Sequence, residues 1–203
     1  MCAGTPFSRK SPPQRAQDAG LNCTPELLDV ELFAGAGGMS VGLRAAGFGP
    51  CRFYELDSAC CETLLHNVSG ARRTITGHVF HGPAQAVDWK PLRGNVRLLA
   101  AGAPCQPFSI AGKHTAHNDG RNLFPELIRA IRETTPIAVI VENVRGLARA
   151  SFRAYFEYVM RQIKFASIPP KKQERWRTHN NRLKHYDLSS SVAPDYQVTF
   201  RVV

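Results

Sequence analysis

Apolar residues along this chain fall into short continuous runs separated by amphipathic stretches. The runs Leu28–Phe33, Arg52–Glu55, Thr74–Phe80, Val96–Ala101 and Ile137–Glu142 predict five strands. Between them, apolar positions recur at helical spacing over Ser40–Ala46, Ser58–Asn67 and Leu123–Glu133. Strands alternating with helices predict an α/β fold built on a doubly wound parallel sheet. Val96, Leu98, Leu99, Ala100 and Ala101 are continuous enough to be a strand buried on both faces. A fourth helix over Phe152–Ile163 sets Phe152, Tyr155, Phe156, Val159 and Ile163 on one face. The polar, basic stretch Pro169–Pro194 predicts a long loop or partly ordered insertion. Alternation of Tyr196, Val198, Phe200 and Val202 predicts a last strand over Tyr196–Val203.

Composition bounds the function classes. With 203 residues and 43% apolar content the chain makes one domain with a real core. No run approaches the roughly 18 apolar residues of a membrane span. Residues 1–26 predict a flexible tail: Met1 to Gly20 is rich in Pro, Ser, Gln and Arg and lacks the apolar centre of a secretory signal. The six cysteines show neither CxxC pairing nor metal-ligand spacing, and adjacent Cys60 and Cys61 would not pair readily. A reduced, cytoplasmic setting follows. The net charge is +10, and Lys164, Lys171, Lys172, Arg175, Arg177, Arg182 and Lys184 cluster late against Glu174 alone. Such a cluster suits a phosphate backbone, and equally a solvated basic loop.

The chemistry concentrates at the ends of the predicted strands. Gly102-Ala103-Pro104-Cys105-Gln106-Pro107-Phe108-Ser109 follows the fourth strand, so Cys105 sits at the sheet's carboxyl edge, where open α/β sheets bind ligands. Pro104 and Pro107 stiffen the backbone around the thiol, as a nucleophile requires, although a buried structural cysteine fits the loop as well. The first strand runs into Phe33-Ala34-Gly35-Ala36-Gly37-Gly38-Met39-Ser40, a glycine turn that brings backbone close to a ligand. Ser40 in place of a third glycine disfavours a pyrophosphate and favours a nucleoside. Glu55, at the second strand's tip, is placed to accept hydrogen bonds from both hydroxyls of a ribose; Asp57 reads as a helix N-cap. Glu142 ends the fifth strand beside the Cys105 loop, where burial would raise its pKa.

In this order, Phe33-Ala34-Gly35-Ala36-Gly37-Gly38, Glu55, Pro104-Cys105-Gln106-Pro107-Phe108-Ser109, Asp119-Gly120-Arg121-Asn122-Leu123-Phe124 and Glu142-Asn143-Val144 resemble the cytosine-5 DNA methyltransferases. The resemblance covers most of Leu28 to Leu147. It implies a Rossmann-like methyltransferase sheet with S-adenosylmethionine over Phe33, Ala34, Gly35, Gly37 and Gly38. It also implies Glu55 on the ribose, and Leu56, Gly102, Pro104 and Leu123 around the cofactor. Cys105 would add to carbon 6 of a flipped-out cytosine while Glu142 holds the ring, so that carbon 5 accepts a methyl group. Double-stranded DNA is the implied partner, and a restriction-modification setting the implied context.

Three departures bear on this. Ala103 replaces a bulkier residue before Pro-Cys. Near His81-Gly82-Pro83-Ala84, Pro83 stands where the family carries an aspartate against the adenine, which implies one hydrogen bond fewer. The Gln-x-Arg-x-Arg segment, the target-recognition domain and the closing Gly-Asn segment of the family have no counterpart in residues 27–203, which therefore read as a partial catalytic domain. The expectation is an enzyme completed by a second polypeptide. A non-catalytic remnant that binds cofactor or DNA is the alternative, and a transfer-RNA cytosine-5 methyltransferase ranks last.

Overall fold

A computed structural model describes residues 27–49, 51–69, 77–104 and 122–202. Five parallel strands form one sheet: β1 (Leu28–Leu32), β2 (Cys51–Glu55), β3 (Gly77–His81), β4 (Val96–Gly102) and β5 (Ala138–Glu142). Their order is β3-β2-β1-β4-β5. Chain direction across the sheet reverses between β1 and β4, so the crevice at their carboxyl ends is the switch point where such folds take ligands. The helices are α1 (Gly38–Ala45), α2 (Ser58–Ser69), α3 (Phe124–Thr134), α4 (Arg153–Lys164) and α5 (Trp176–Ser189).

Burial follows the pattern of the sequence. Val96, Leu98, Leu99, Ala100 and Ala101 of β4 are all buried, as a strand covered on both faces must be. Leu99, Ala101, Val30 and Leu32 pack with Trp89 and with Leu127, Ile128 and Ile131 of α3. The apolar positions of α3 recur at helical spacing, and Pro125 in its first turn costs no hydrogen bond. On a second, smaller cluster Phe53 and Cys51 meet Ala34 and Leu64.

β1 also buries two acids. Asp29 takes a bidentate pair from Arg97, at 3.0 and 2.6 Å, and accepts the Gly49 amide. Glu31 accepts the Ser40 hydroxyl, and burial pushes its carboxyl above the ordinary range. Both acids are therefore partnered, as burial demands.

Two expectations need correction. Residues 176–189 of the stretch read as a loop are helix α5. Its anchors Trp176, His179, Leu183 and Tyr186 are spaced three, four and three apart, an apolar stripe disguised by a histidine and flanking charges. Buried His179 contacts the Tyr158 hydroxyl at 2.9 Å and the Ile168 carbonyl at 3.1 Å, and burial lowers its pKa. The last strand does not form: residues 196–202 join no ladder among the described residues. The alternation still has a cause. Tyr196 and Val198 pack on the core, the Tyr196 hydroxyl donates to the Pro136 carbonyl at 2.8 Å, and Phe200 meets Phe156 edge to face. Side chains anchor this segment, with no backbone pairing to β5.

Residues 1–26 and 74–76, within the expected tail and third strand, lie outside the described residues. Among the described residues no helix is long and apolar enough to cross a membrane.

Candidate active site

A cleft of about 790 Å³ opens at the carboxyl edge of β1, β2, β3 and β4. That volume suits a cofactor-sized ligand. Its lining includes Phe33, Glu55, Leu56, Gly102, Pro104 and Leu123 from the sequence-based expectation, contributed by four separate segments. The sheet brings them together because consecutive strands end side by side.

Ala34, Gly35, Gly37 and Gly38 do not line the cleft; they turn the chain beneath it. Ala34 is buried in the smaller core cluster. Gly35 and Gly37 have φ of 54° and 89°, and Gly37 precedes the first residue of α1. A Cβ on Gly35 would meet nothing within 4 Å, so the backbone angle, and not packing, asks for glycine there. Phe33 adopts φ of 55° without that freedom. A left-handed conformation in a bulky residue costs on the order of 1–3 kcal/mol. It sets the ring at the cleft.

Glu55 ties this turn down. Its Oε2 accepts the Gly35 amide at 2.7 Å, and its Oε1 accepts the Leu56 and Asp57 amides, each at 2.8 Å. A carboxylate offers about four acceptor positions. Three are filled, which leaves one on Oε2. Asp57 is the anticipated cap of α2: it accepts the Cys60 amide at 2.9 Å, which holds its carboxyl below the usual range.

Several lining residues were not singled out from the sequence. Tyr54 stacks on Phe80 with centroids 4.9 Å apart and meets Trp89 edge to face at 4.6 Å, forming an aromatic platform. Its place next to Glu55 was the available signal. His81 contacts the Leu56 carbonyl through Nε2 at 3.0 Å. Pro83 does line the cleft, beside Gln85, whose amide is a polar group on that wall.

The second half of the site lies one strand over. Gly102 of β4 pairs in register with Glu142 of β5, so Glu142 stands beside the strand end from which the sequence runs on toward Cys105. Cys105 itself lies outside the described residues, as do residues 106–121. Asn143 ties the two tips together. Its Nδ2 donates to the Ala103 carbonyl at 2.9 Å, and its Oδ1 accepts the Val144 amide at 3.0 Å. The burial expected for Glu142 is not found: its residue is exposed, because β5 is the margin of the described sheet and alternates outward and inward positions.

The model of the C-5 cytosine-specific DNA methylase family matches residues 27–167. The chain is 36% identical over 149 residues to the type II methyltransferase M.NgoMIV of Neisseria gonorrhoeae, covering 68% of this chain and 42% of that protein. It is 44% identical over 119 residues to M.Eco47II of Escherichia coli, covering 58% and 27%. To M.AquIA of Picosynechococcus sp. it is 36% identical over 148 residues, covering 68% and 58%. The match thus spans between 27% and 58% of these relatives' lengths. By the family model's match to most of its length, the chain belongs to the C-5 cytosine-specific DNA methylase family.

Proposed function

We propose that this chain carries the catalytic core of a methyltransferase that transfers a methyl group from S-adenosylmethionine to carbon 5 of cytosine in double-stranded DNA. One observation carries the reading: the cofactor-sized cleft reaches Gly102 and Pro104, and Gly102 is paired with Glu142. A cofactor in the cleft and a base held at Glu142 are neighbours across the segment that leads into Cys105.

The cleft residues fit the cofactor. Phe33, Tyr54 and Leu56 offer surface for an adenosine, Glu55 keeps one acceptor for a ribose hydroxyl, and Gln85 offers an amide on the wall where Pro83 offers none. When bound, S-adenosylmethionine supplies an electrophilic methyl group to the activated carbon. The chain's own residues do the rest. Cys105, as thiolate, forms a bond to carbon 6 of the cytosine, which moves electron density to carbon 5. Glu142 hydrogen-bonds nitrogen 3 and the exocyclic amine and stabilises the charge that the addition puts into the ring. Asn143 holds the Ala103 carbonyl, and through it the approach to Cys105, at a fixed distance from Glu142. Loss of the carbon 5 proton to a base and departure of the thiolate leave 5-methylcytosine and restore Cys105. The target base reaches this edge of the sheet by leaving the duplex stack. Segments equivalent to the rest of the relatives' length, on the same or a second polypeptide, read the DNA sequence in its major groove.

Transfer of labelled methyl groups to duplex DNA, with and without a complementing polypeptide, tests the reading. Cys105→Ser lowers transfer by at least about a thousandfold. DNA containing 5-fluorocytosine traps a denaturation-resistant adduct, because fluorine blocks the final elimination. Undiminished transfer by Cys105→Ser overturns the covalent route.

A further inference from the structure

Immediately beyond Glu142 the chain turns away from the sheet through a short 3₁₀ turn, Arg145–Ala148, and enters α4 at Arg153. A groove of about 820 Å³, separate from the cofactor cleft, runs along this segment. Arg145, Arg149 and Arg153 all line it, four residues apart, and all three are exposed. Gly146 and Ala148, between them, leave room at the groove wall. Phe156 and Phe200 give it an aromatic side, with ring centroids 5.1 Å apart.

Glu157 is the one carboxylate among the described lining residues. It already accepts from Arg153 at 3.2 Å and Arg161 at 3.4 Å, and these guanidinium partners hold it below its ordinary pKa. Among the described residues, Arg145 and Arg149 have no ion pair. The first turn of α4 carries no acid, and no side chain caps its N-terminus, so the positive end of that helix adds to the same field. Three guanidinium groups with one spent carboxylate form a seat for an anion. Arginine is the residue that meets phosphate in a bidentate fork.

We infer that Arg145, Arg149 and Arg153 seat backbone phosphates of double-stranded DNA, on the strand whose cytosine is turned toward Glu142. The inference rests on the function proposed above, and it names the surface by which the substrate is held. These arginines are the first cations along the chain after Glu142, and phosphates flanking a base at that strand tip lie within a nucleotide of it. The seat is local. It differs from general attraction between a basic protein and a polyanion, which the exposed Lys171, Lys172 and Arg175 ahead of α5 would supply equally well.

Fluorescence anisotropy of a labelled duplex, titrated with the full chain at several salt concentrations, tests the seat. For Arg145→Gln/Arg149→Gln/Arg153→Gln, the slope of log K against log salt shrinks by about 2 to 3, and affinity near 0.1 M salt falls roughly 10- to 100-fold. Circular dichroism melting confirms that the triple variant is folded. Arg145→Lys/Arg149→Lys/Arg153→Lys keeps the salt slope but recovers only part of the affinity, since lysine keeps the charge and loses the fork. An unchanged slope overturns the seat. So does an equal loss in Lys171→Gln/Lys172→Gln/Arg175→Gln, tighter binding to single-stranded RNA of the same length, or a wild-type chain that fails to bind the duplex. Calorimetric binding of S-adenosylmethionine is unaffected by the three changes. Methyl transfer is read separately, so failure of the Cys105 chemistry and failure of the seat are distinguishable.

Discussion

The two sides of the sheet are built differently. Around β1 and β4 each strand has neighbours on both edges and cover on both faces, and even the acids of β1 are buried against Arg97 and Ser40. At β5, Ala138, Ile140 and Glu142 are exposed, and Ile137 and Val144 add apolar surface to the same margin. The cleft proposed for the cofactor opens mostly in the first region, and Glu142, the acid proposed to hold the base, stands in the second. Binding a small, chemically constant ligand calls for a rigid, finished wall. Receiving a nucleotide drawn out of a duplex calls for an open one. On the proposed function, substrate entry falls at the β5 margin and cofactor retention at the cleft centred on β1, β2 and β4.

The contrast can be broken at its strongest point first. Leu99→Ala, in the centre of the covered half, lowers stability by about 2–5 kcal/mol in urea or thermal denaturation. Ile140→Ala, at the exposed margin, changes it by no more than about 0.5 kcal/mol. Equal losses would mean that β5 is as enclosed as β4. Glu55→Ala removes the acceptor for three backbone amides and the one proposed for a ribose hydroxyl, and weakens cofactor binding about 10- to 100-fold by calorimetry. Unchanged affinity would show that the turn holds its shape without it.

Asn143→Ala separates the halves more finely. It cuts kcat by roughly tenfold and shifts the cofactor Kd by less than about threefold, because its bond to the Ala103 carbonyl ties the end of β4 to the tip of β5 while the cleft residues themselves are untouched. A matching loss of cofactor affinity would place Asn143 in the cofactor wall. The smallest effect concerns α5. The Arg182 hydrogen bonds hold the Glu174 carboxyl down to about 2, from an ordinary value of 4.5. Since the folded value lies below the unfolded one, this contribution is complete above pH 4.5 and fades as pH falls toward 2. The near-ultraviolet dichroism of Trp176 reports that loss in the wild type. In Arg182→Gln the acid-dependent change is diminished.

The covered half was readable in the sequence because it obeys simple periods. Val96–Gly102 is apolar but for Arg97, α3 repeats its apolar positions cleanly, and the tips bearing Gly35, Glu55 and Glu142 follow from where such runs stop. The open half was harder. Helix α5 hides its buried stripe behind His179, which is apolar only in company with Tyr158 and the Ile168 carbonyl. Residues 196–202 show true alternation, yet alternation reports which side chains are buried and not whether a ladder forms. Glu142 was expected to be desolvated from its apolar neighbours in sequence. Desolvation depends on what stands on the strand's far side, which a strand's own residues do not encode. Tyr54 and Gln85 escaped notice because a cleft wall needs no fixed spacing.

Helix α3 has a mechanical consequence. Leu123, at its start, lines the cleft, and Arg129, six residues on, donates to the Ala84 and Val87 carbonyls behind the opposite wall, at 3.2 and 2.9 Å. Arg129 is itself braced by Glu126 and Glu133, and Glu126 also accepts the Trp89 indole N–H. Six residues of helix measure about 9 Å along the axis. The span between the two walls is therefore gauged by a rod of fixed length, and a change in cleft width must strain either that rod or the guanidinium clasp at its far end.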